Sequence, residues 1–198
     1  MKPRLFLALS LAATPLLTGC QRFAANYVLD PRPPQAAYSD IKSAPNPQPV
    51  LLTFDMRTAA GPFPEGTARF APKVARVLEH SGVFASVAKV GSESMPRLTI
   101  VLTEMAAATG NDVKSLPAGL SSGLQGSEAA VLYMFTGTYQ PAGKEAVKKV
   151  YHHAIHVLNS KVFPPPGTQA MTGGQATDAM IEQLTLNFLR ELQSEGKL

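Results

Sequence analysis

Three of the four histidines of the chain lie close together, at His152, His153 and His156. Imidazoles are common metal ligands, and positions 152 and 156 would lie one turn apart on a helix, a spacing that zinc sites use. On a strand these two residues share a face, while His153 points to the other face. The sequence around them supplies no third ligand and no H-E-x-x-H pattern. We therefore expect histidines on a half-exposed strand, and a small-ligand or metal-binding module in this region is the alternative function.

Other side chains offer little catalytic chemistry. Asp55 and Arg57 follow a short apolar run, and such a pair of opposite charges is usually a solvated surface contact. Glu104 and Asp112 are single carboxylates without a sequence neighbour for acid–base catalysis. The sequence contains no nucleophile elbow, phosphate-binding loop or dinucleotide fingerprint. We expect no catalytic residues, no cofactor and no enzymatic activity.

The composition is that of one globular domain. The chain has 198 residues, of which 45% are hydrophobic and 16% are charged, and this balance excludes a disordered tail. A single cysteine excludes a scaffold held by disulfide bonds. When Lys2 and Arg4 are removed with a signal peptide, the formal charge falls from +4 to +2. Because no basic cluster remains, we expect no nucleic-acid partner.

The first twenty residues have the layout of a secretory signal. Lys2 and Arg4 form a short positive region, residues 5–17 are apolar and uncharged, and small residues then lead to Cys20. The apolar run is too short for a comfortable transmembrane helix. The last four residues, Leu17-Thr18-Gly19-Cys20, resemble the lipobox of bacterial lipoproteins, [LVI]-[ASTVI]-[GAS]-C.

This resemblance implies a modification and a location. In bacterial lipoproteins the signal peptide, here residues 1–19, is cut before the cysteine, and the thiol carries a diacylglycerol. Cys20 would therefore be the lipid attachment site, and its fatty acyl chains, such as palmitate, would bind the membrane. Gln21 stands where the sorting rule of enteric bacteria places the Asp that retains a lipoprotein in the inner membrane. The resemblance thus implies the periplasmic face of the outer membrane, with the periplasmic face of the inner membrane as the alternative.

A proline-rich segment follows the cysteine. Six of the nineteen residues 31–49 are proline, and proline supports neither a helix nor a central strand. We expect residues 20–49 to be the lipidated N-terminus and an extended tether that holds the domain away from the bilayer. The alternative is that Tyr27, Val28, Leu29 and Tyr38 dock on the domain as an edge strand, since aromatic and β-branched residues favour strands, most clearly at residues 27–29.

The remaining residues, 50–198, predict a single α+β domain. We expect strands at the segments with β-branched and apolar runs and a hairpin across the turn at residues 140–143; these strands are residues 50–54, 83–90, 97–103, 131–139 and 147–158. Residues 106–128 are rich in Gly, Ser and Ala and predict a long loop, whose uncharged part at residues 116–124 could touch lipid or a partner.

Two helices complete the domain. Phe70, Val74, Val77 and Leu78 form one apolar helical face, with Pro72 suited to an early turn and Gly82 to the stop. A capping box at residues 172–175 begins a second helix, whose apolar stripe recurs every four residues from 176 to 192. This order of elements predicts a mixed, mostly antiparallel sheet with both helices packed on one face.

The layout of the chain suggests a function class. A lipobox, a proline-rich tether and a small α+β domain together resemble small uncharacterised proteobacterial envelope lipoproteins. They are also somewhat similar to the auxiliary lipoproteins of envelope transport and assembly systems. The resemblance implies a non-enzymatic accessory or binding component whose partner is an envelope protein.

Overall fold

The computed structural model describes residues 26–92, 94–109, 124, 127–159 and 163–198. The expected signal peptide at residues 1–19, the lipid attachment site Cys20, Gln21 and Asp112 lie outside the described residues. Most of the expected loop at residues 106–128 also lies outside them.

Seven strands and two helices make up the described fold. The strands are β1 (Asn26–Leu29), β2 (Gln48–Thr58), β3 (Gly61–Pro62), β4 (Phe84–Ala88), β5 (Arg97–Thr109), β6 (Ser127–Gln140) and β7 (Val147–Leu158). The helices are α1 (Pro64–His80) and α2 (Gly173–Ser194), and a single 3₁₀ turn lies at Tyr38–Asp40. Every strand and helix expected from the sequence is present, although most are longer than expected.

The strands form one mixed sheet in the order β1-β7-β6-β5-β2-β3, and β4 also pairs with β2. Strand β2 is parallel to β4 and β5, and the other pairs are antiparallel. Both helices cover the same face of this sheet and share its core. That core includes Leu98, Ile100, Phe135, Leu78 and Phe188. The α+β class with a mostly antiparallel mixed sheet is therefore confirmed.

Helix α1 begins earlier than the sequence pattern predicts. Pro64 occupies its first turn, where a missing N–H and a fixed φ angle cost nothing. The expectation that Pro72 lies in an early turn is therefore wrong, because this residue lies in the interior of the helix. The proline leaves the carbonyl of Ala68 without its helical donor, and both residues are exposed, so water can serve that carbonyl. Gly82 has a φ of 69° and ends the helix as expected.

Helix α2 begins at the capping box that the sequence predicts. The Gln175 backbone N–H donates to Thr172 Oγ1 at 3.3 Å, and the Thr172 N–H donates to Gln175 Oε1 at 3.0 Å. The apolar stripe is buried against the sheet at Ala176, Met180, Leu184, Phe188 and Leu192. Close ring contact between Phe188 and Phe135, with centroids 6.1 Å apart, fixes this helix over β6.

The region expected as a loop is partly strand. Strand β5 continues to Thr109 and β6 begins at Ser127, with Ala106 opposite Leu132. A bulge between Glu104 and Ala106 preserves the pairing. Alanine has a low strand propensity, but pairing with an already formed neighbouring strand overrides it here.

The N-terminal segment packs on the domain. Strand β1 pairs with the edge of β7, with Val28 opposite His156, so the edge-strand alternative is the observed one at residues 27–29, whereas Tyr38 lies in the 3₁₀ turn. On its other side Tyr27 exchanges backbone hydrogen bonds with Met171. Residues 30–47, which we call the strap, then run along α2 to the start of β2. The extended tether expected within residues 31–49 is corrected accordingly, because α2 supplies donors for the strap carbonyls.

Candidate functional site

The three neighbouring histidines lie in different environments. All belong to β7, where side chains alternate between the two faces of the sheet, as the strand interpretation predicts. His153 is buried on the face that the helices cover, His156 is buried on the opposite face, and His152 is exposed. Among the described residues, no group of three or more His, Cys, Asp or Glu side chains could hold a metal ion. The geometry therefore gives no support to the metal-binding alternative.

His153 connects the sheet to α2. Its Nε2 lies 3.2 Å from Gln183 Oε1, and its Nδ1 lies 3.0 Å from the carbonyl oxygen of Ala154. Burial lowers the pKa of this imidazole, an effect that these two hydrogen bonds only partly oppose. The residue is thus a packed core histidine rather than an accessible ligand.

His156 lies between two polar side chains that the sequence does not place near it. Its Nε2 is 3.4 Å from Asp30 Oδ2, and its Nδ1 is 3.2 Å from Ser127 Oγ. The hydroxyl of Ser127 also lies 3.1 Å from the carbonyl oxygen of Ala129. These contacts give both ring nitrogens of His156 a polar partner within the protein.

The set of Asp30, His156 and Ser127 contains the residue types of a catalytic triad, but its geometry is structural. Asp30 and His156 are both completely buried. Because neither side chain has exposed surface, the pair offers no group that a substrate could reach. These contacts connect β1 to β6 and β7 and hold the N-terminal strand at the edge of the sheet.

A row of polar side chains on α2 binds the strap. Gln183 Nε2 donates to the carbonyl oxygen of Pro34 at 3.2 Å, and Asn187 Nδ2 donates to the same oxygen. Three residues further along, Arg190 donates to the carbonyl oxygen of Gln35 at 3.4 Å. The spacing of these donors places them on one face of the helix.

Gln193, the last side chain of this row, binds both the backbone N–H and the backbone carbonyl of one strap residue, Lys42. Gln193 Oε1 accepts the N–H of Lys42 at 3.0 Å, and Gln193 Nε2 donates to the carbonyl oxygen of Lys42 at 2.5 Å. A proline-rich chain has few N–H donors of its own, so its carbonyl oxygens need donors from elsewhere. The amides of Gln183, Asn187 and Gln193 supply them without a charge, and Arg190 adds one donor from its guanidinium. We call this row, Gln183, Asn187, Arg190 and Gln193, the amide clamp.

A groove lies between α1, α2 and the strap. The ion pair of Lys73 Nζ with Glu182 Oε2, at 2.7 Å, divides it into two lobes. One lobe has a volume of about 410 Å³ and the other about 380 Å³. The first is lined by Leu29, Gln35, Ala36, Gln175, Asp178, Ala179 and Gln183, and the second by Tyr38, Arg76, Val77 and His80, with Lys73 and Glu182 common to both.

The groove has walls of opposite charge. Helix α1 contributes Lys73 and Arg76 to it, whereas α2 contributes Asp178 and Glu182. Burial raises the pKa of Tyr38, and the negative charge of Glu182 raises it further, so this phenol stays neutral at the mouth of the groove. Such a surface suits a polar chain that carries both signs of charge better than it suits a lipid tail.

The remaining side chains considered in the sequence have structural surroundings. Asp55 and Arg57 form an ion pair of 2.6 Å at the surface, as expected for a solvated contact. The hydroxyl of Tyr133 donates to Glu104 Oε2 at 3.4 Å, and burial, together with that carboxylate, raises the pKa of the phenol. None of these contacts adds a group to the groove.

No protein-family model and no curated protein sequence matches the chain. Among solved structures, the chain is similar to the crystal structure of rare lipoprotein B from Shewanella oneidensis, with a TM-score of 0.38 and 14% sequence identity. That alignment covers 75% of this chain and 94% of the other. A second similar structure is that of an uncharacterised protein, with a TM-score of 0.37, 10% identity, and coverage of 78% and 96%. Similarity of this extent does not assign a function to this chain.

Within the described residues, neither helix has the length and apolar character needed to cross a bilayer. The amide clamp and the groove both involve strap residues: Pro34 and Lys42 in the clamp, and Gln35, Ala36 and Tyr38 in the groove.

Proposed function

We propose that the chain is a lipid-anchored envelope protein on the periplasmic face of the outer membrane. We also propose that it acts without catalysis, as an accessory component that binds a segment of an envelope protein in the groove between α1, α2 and the strap. The observation that carries the proposal is the amide clamp. Because the clamp holds the strap along α2, the strap packs on the domain and lines one side of the groove, as a flexible tether would not.

The pairing of β1 with β7 determines how far the domain can lie from an anchor at Cys20. Five residues separate Cys20 from Asn26, where β1 begins, so six residue-to-residue steps join the two. A fully extended chain of this length spans about 20 Å. Lipidation at Cys20 would therefore hold the domain within about that distance of the bilayer, rather than on a long flexible tether. Two or more acyl chains on one residue make such attachment stable.

The groove suits an extended polypeptide. Next to it, α2 already holds one extended segment through side-chain amides that contact backbone atoms of Pro34 and Lys42. The open lobes offer charged groups of both signs, which would select a partner segment by its charge pattern. Arg76 is exposed and lines one lobe, so it would be available for such contacts.

The anchor is tested by comparing the natural chain with a Cys20→Ser variant in cells labelled with radioactive palmitate. We expect label and membrane association in the natural chain and neither in the variant. A Gln21→Asp variant should remain lipidated and move to the inner-membrane fraction. Mass spectrometry that finds an unmodified thiol on the exported natural chain would refute the anchor.

The binding groove is tested with a photoreactive amino acid in place of Arg76, in cells that make the full chain. We expect a discrete adduct whose cross-linked site maps to an extended segment of one envelope protein. A Lys73→Glu change in the same chain should weaken it, because this change breaks the ion pair with Glu182 and reverses a wall charge. The matched control is the same photoreactive residue in place of Thr53, which is exposed on the opposite face of the sheet. Equal adducts at both positions, or none at position 76, would refute the groove as the binding site.

A further inference from the structure

The two lobes of the groove share one ion pair and differ in the charge that remains. Lys73 and Glu182 line both lobes, and their contact at 2.7 Å neutralises both charges. Apart from this pair, the first lobe contains the carboxylate of Asp178, and the second contains the guanidinium of Arg76. The first lobe is therefore acidic and the second is basic.

Neither of these remaining charges has a partner in the part of the chain that the structure describes. Within those residues, the Asp178 carboxylate and the Arg76 guanidinium form no hydrogen bond and no ion pair. Asp178 is half-buried and Arg76 is exposed. Salt screens a partly buried charge less than an exposed one, so an incoming cation is attracted to the first lobe and an incoming anion to the second.

Uncharged neighbours add hydrogen-bonding groups of the matching kind. Gln35 lines the first lobe, and its amide oxygen can accept a hydrogen bond from an ammonium or guanidinium group. Tyr38 and His80 line the second lobe. The phenol of Tyr38 can donate a hydrogen bond to a carboxylate. The first lobe thus suits a basic side chain and the second an acidic one.

The helices set the distance between the two remaining charges. On α2, Asp178 lies four residues before Glu182, and on α1, Arg76 lies three residues after Lys73. Because the ion pair joins the helices between them, Asp178 and Arg76 lie on opposite sides of that pair along the groove. At 1.5 Å of rise per residue, the two charges are about 10 Å apart along the groove. That is the length of roughly three residues of extended chain at about 3.3 Å each.

We propose that the groove recognises an extended protein segment that carries one basic and one acidic side chain three or four residues apart. The basic side chain binds Asp178 and the acidic side chain binds Arg76. Residues three apart share a side of a polyproline II helix, and residues four apart share a face of a β-strand, so both extended forms can present this pair. This inference rests on the proposed function, because it specifies the charge pattern that the same groove selects.

The test uses a photoreactive amino acid in place of Ala179, in cells that make the full chain. Ala179 lines the first lobe and is uncharged, so Asp178 and Arg76 both stay in place. We expect an adduct with one envelope protein, mapped to a segment that has the basic and acidic residues at the stated spacing. Adduct yields are compared at the lowest expression level that gives a measurable signal, where the yield follows the affinity.

Neutral variants measure the contribution of each charge. Asp178→Asn and Arg76→Gln should each lower the adduct yield about fivefold, near the upper end for a partly exposed charge pair. The matched control is Lys144→Gln with Glu145→Gln, which removes one charge of each sign in the exposed turn after β6 and should leave the yield unchanged. An Asp178→Lys variant should lose the adduct, and changing the mapped basic residue of the partner to Glu should restore it.

The outcomes separate this inference from the proposed function. An adduct at position 179 whose yield survives both neutral variants, or that maps to a segment without the charge pair, overturns the charge pattern and leaves the groove as the binding site. Absence of an adduct at both positions 76 and 179 overturns the groove and, with it, the charge pattern. Failure of the partner change to restore the adduct, in an Asp178→Lys protein with the natural far-UV circular dichroism, overturns the pairing with Asp178.

Discussion

The buried pair of Asp30 and His156 should be the strongest single link between β1 and the rest of the sheet. An Asp30→Ala change removes the acceptor for His156 Nε2 and for the Arg32 backbone N–H, which now donates to Asp30 Oδ1 at 2.9 Å. Both side chains of the pair are completely buried. Removing one member of a buried pair lowers the free energy of unfolding by about 3–5 kcal/mol, because the other member stays buried without that partner. For a domain of this size, that cost lowers the melting temperature by roughly 6–20 °C.

Thermal and urea unfolding, followed by circular dichroism on the Cys20→Ser form of the chain, measures this loss. The matched control is Asp55→Ala, which removes a surface ion pair with Arg57 and should cost less than about 1 kcal/mol. Replacing both members of the buried pair, as Asp30→Ala with His156→Leu, should cost less than the two single changes added together. Equal losses for Asp30→Ala and Asp55→Ala, or strict additivity in the double variant, would refute the assignment of a coupled buried pair.

Three further predictions concern α2, the core and pH. A Gln193→Ala change removes both hydrogen bonds to Lys42, so trypsin should cleave after Lys42 several times faster while the far-UV spectrum is unchanged. A Gly137→Ala change places a Cβ atom 3.0 Å from the Phe188 ring, and this overpacking should lower the unfolding free energy by about 1–3 kcal/mol. Burial lowers the pKa of His153 in the folded chain, so as the pH falls the unfolded chain binds a proton at this group more readily than the folded chain does. Stability should fall as pH drops below about 6.5, by at most about 1.4 kcal/mol per pH unit from this group, and a His153→Gln variant should lose that slope.

Each of these has a control within the chain. A Gln169→Ala change alters an exposed amide away from the strap and should leave trypsin cleavage unchanged. Ala142→Ser, in the exposed turn after β6, should leave the unfolding free energy within about 0.5 kcal/mol. His152→Gln should keep the pH slope, since His152 is exposed. The first prediction is contradicted if trypsin cleaves the Gln193→Ala variant no faster than the natural chain. The second is contradicted if Gly137→Ala has the unfolding free energy of the natural chain. The third is contradicted if the His153→Gln and His152→Gln variants show the same dependence of stability on pH.

Local patterns were sufficient to predict the elements that depend on neighbouring residues. The capping box at Thr172, the glycine stop at Gly82 and the alternation of β7 are all encoded within a few positions. The α+β class follows from the order of these elements. The start of α1 was misjudged because the apolar stripe identifies the buried face of a helix and leaves its first turn unmarked, even though Pro64 marks that turn.

The contacts that build the candidate site join residues far apart in sequence. Asp30 reaches His156 across 126 positions, and Gln183 reaches Pro34 across 149. Prolines in the strap predicted correctly that it forms neither an α-helix nor a strand, and its one regular element is the 3₁₀ turn at Tyr38–Asp40. The carbonyl oxygens of these prolines carry no sequence pattern that identifies the side chains that donate to them. Amides at Gln183 and Asn187, four residues apart within a buried stretch of helix, were the available signal for such a contact.

The placement of β1 has a consequence for the order in which the chain acquires its structure. Of the described strands, the first to be synthesised pairs with the last, since Val28 lies opposite His156. Closing so long a loop is slow, so the ladder from β5 to β7 should form first and leave the outer edge of β7 unpaired in the meantime. That exposed edge is a template for pairing with a second chain. Early dimers that form through β7 should therefore be the main misfolded product whenever the N-terminal strand is truncated or delayed.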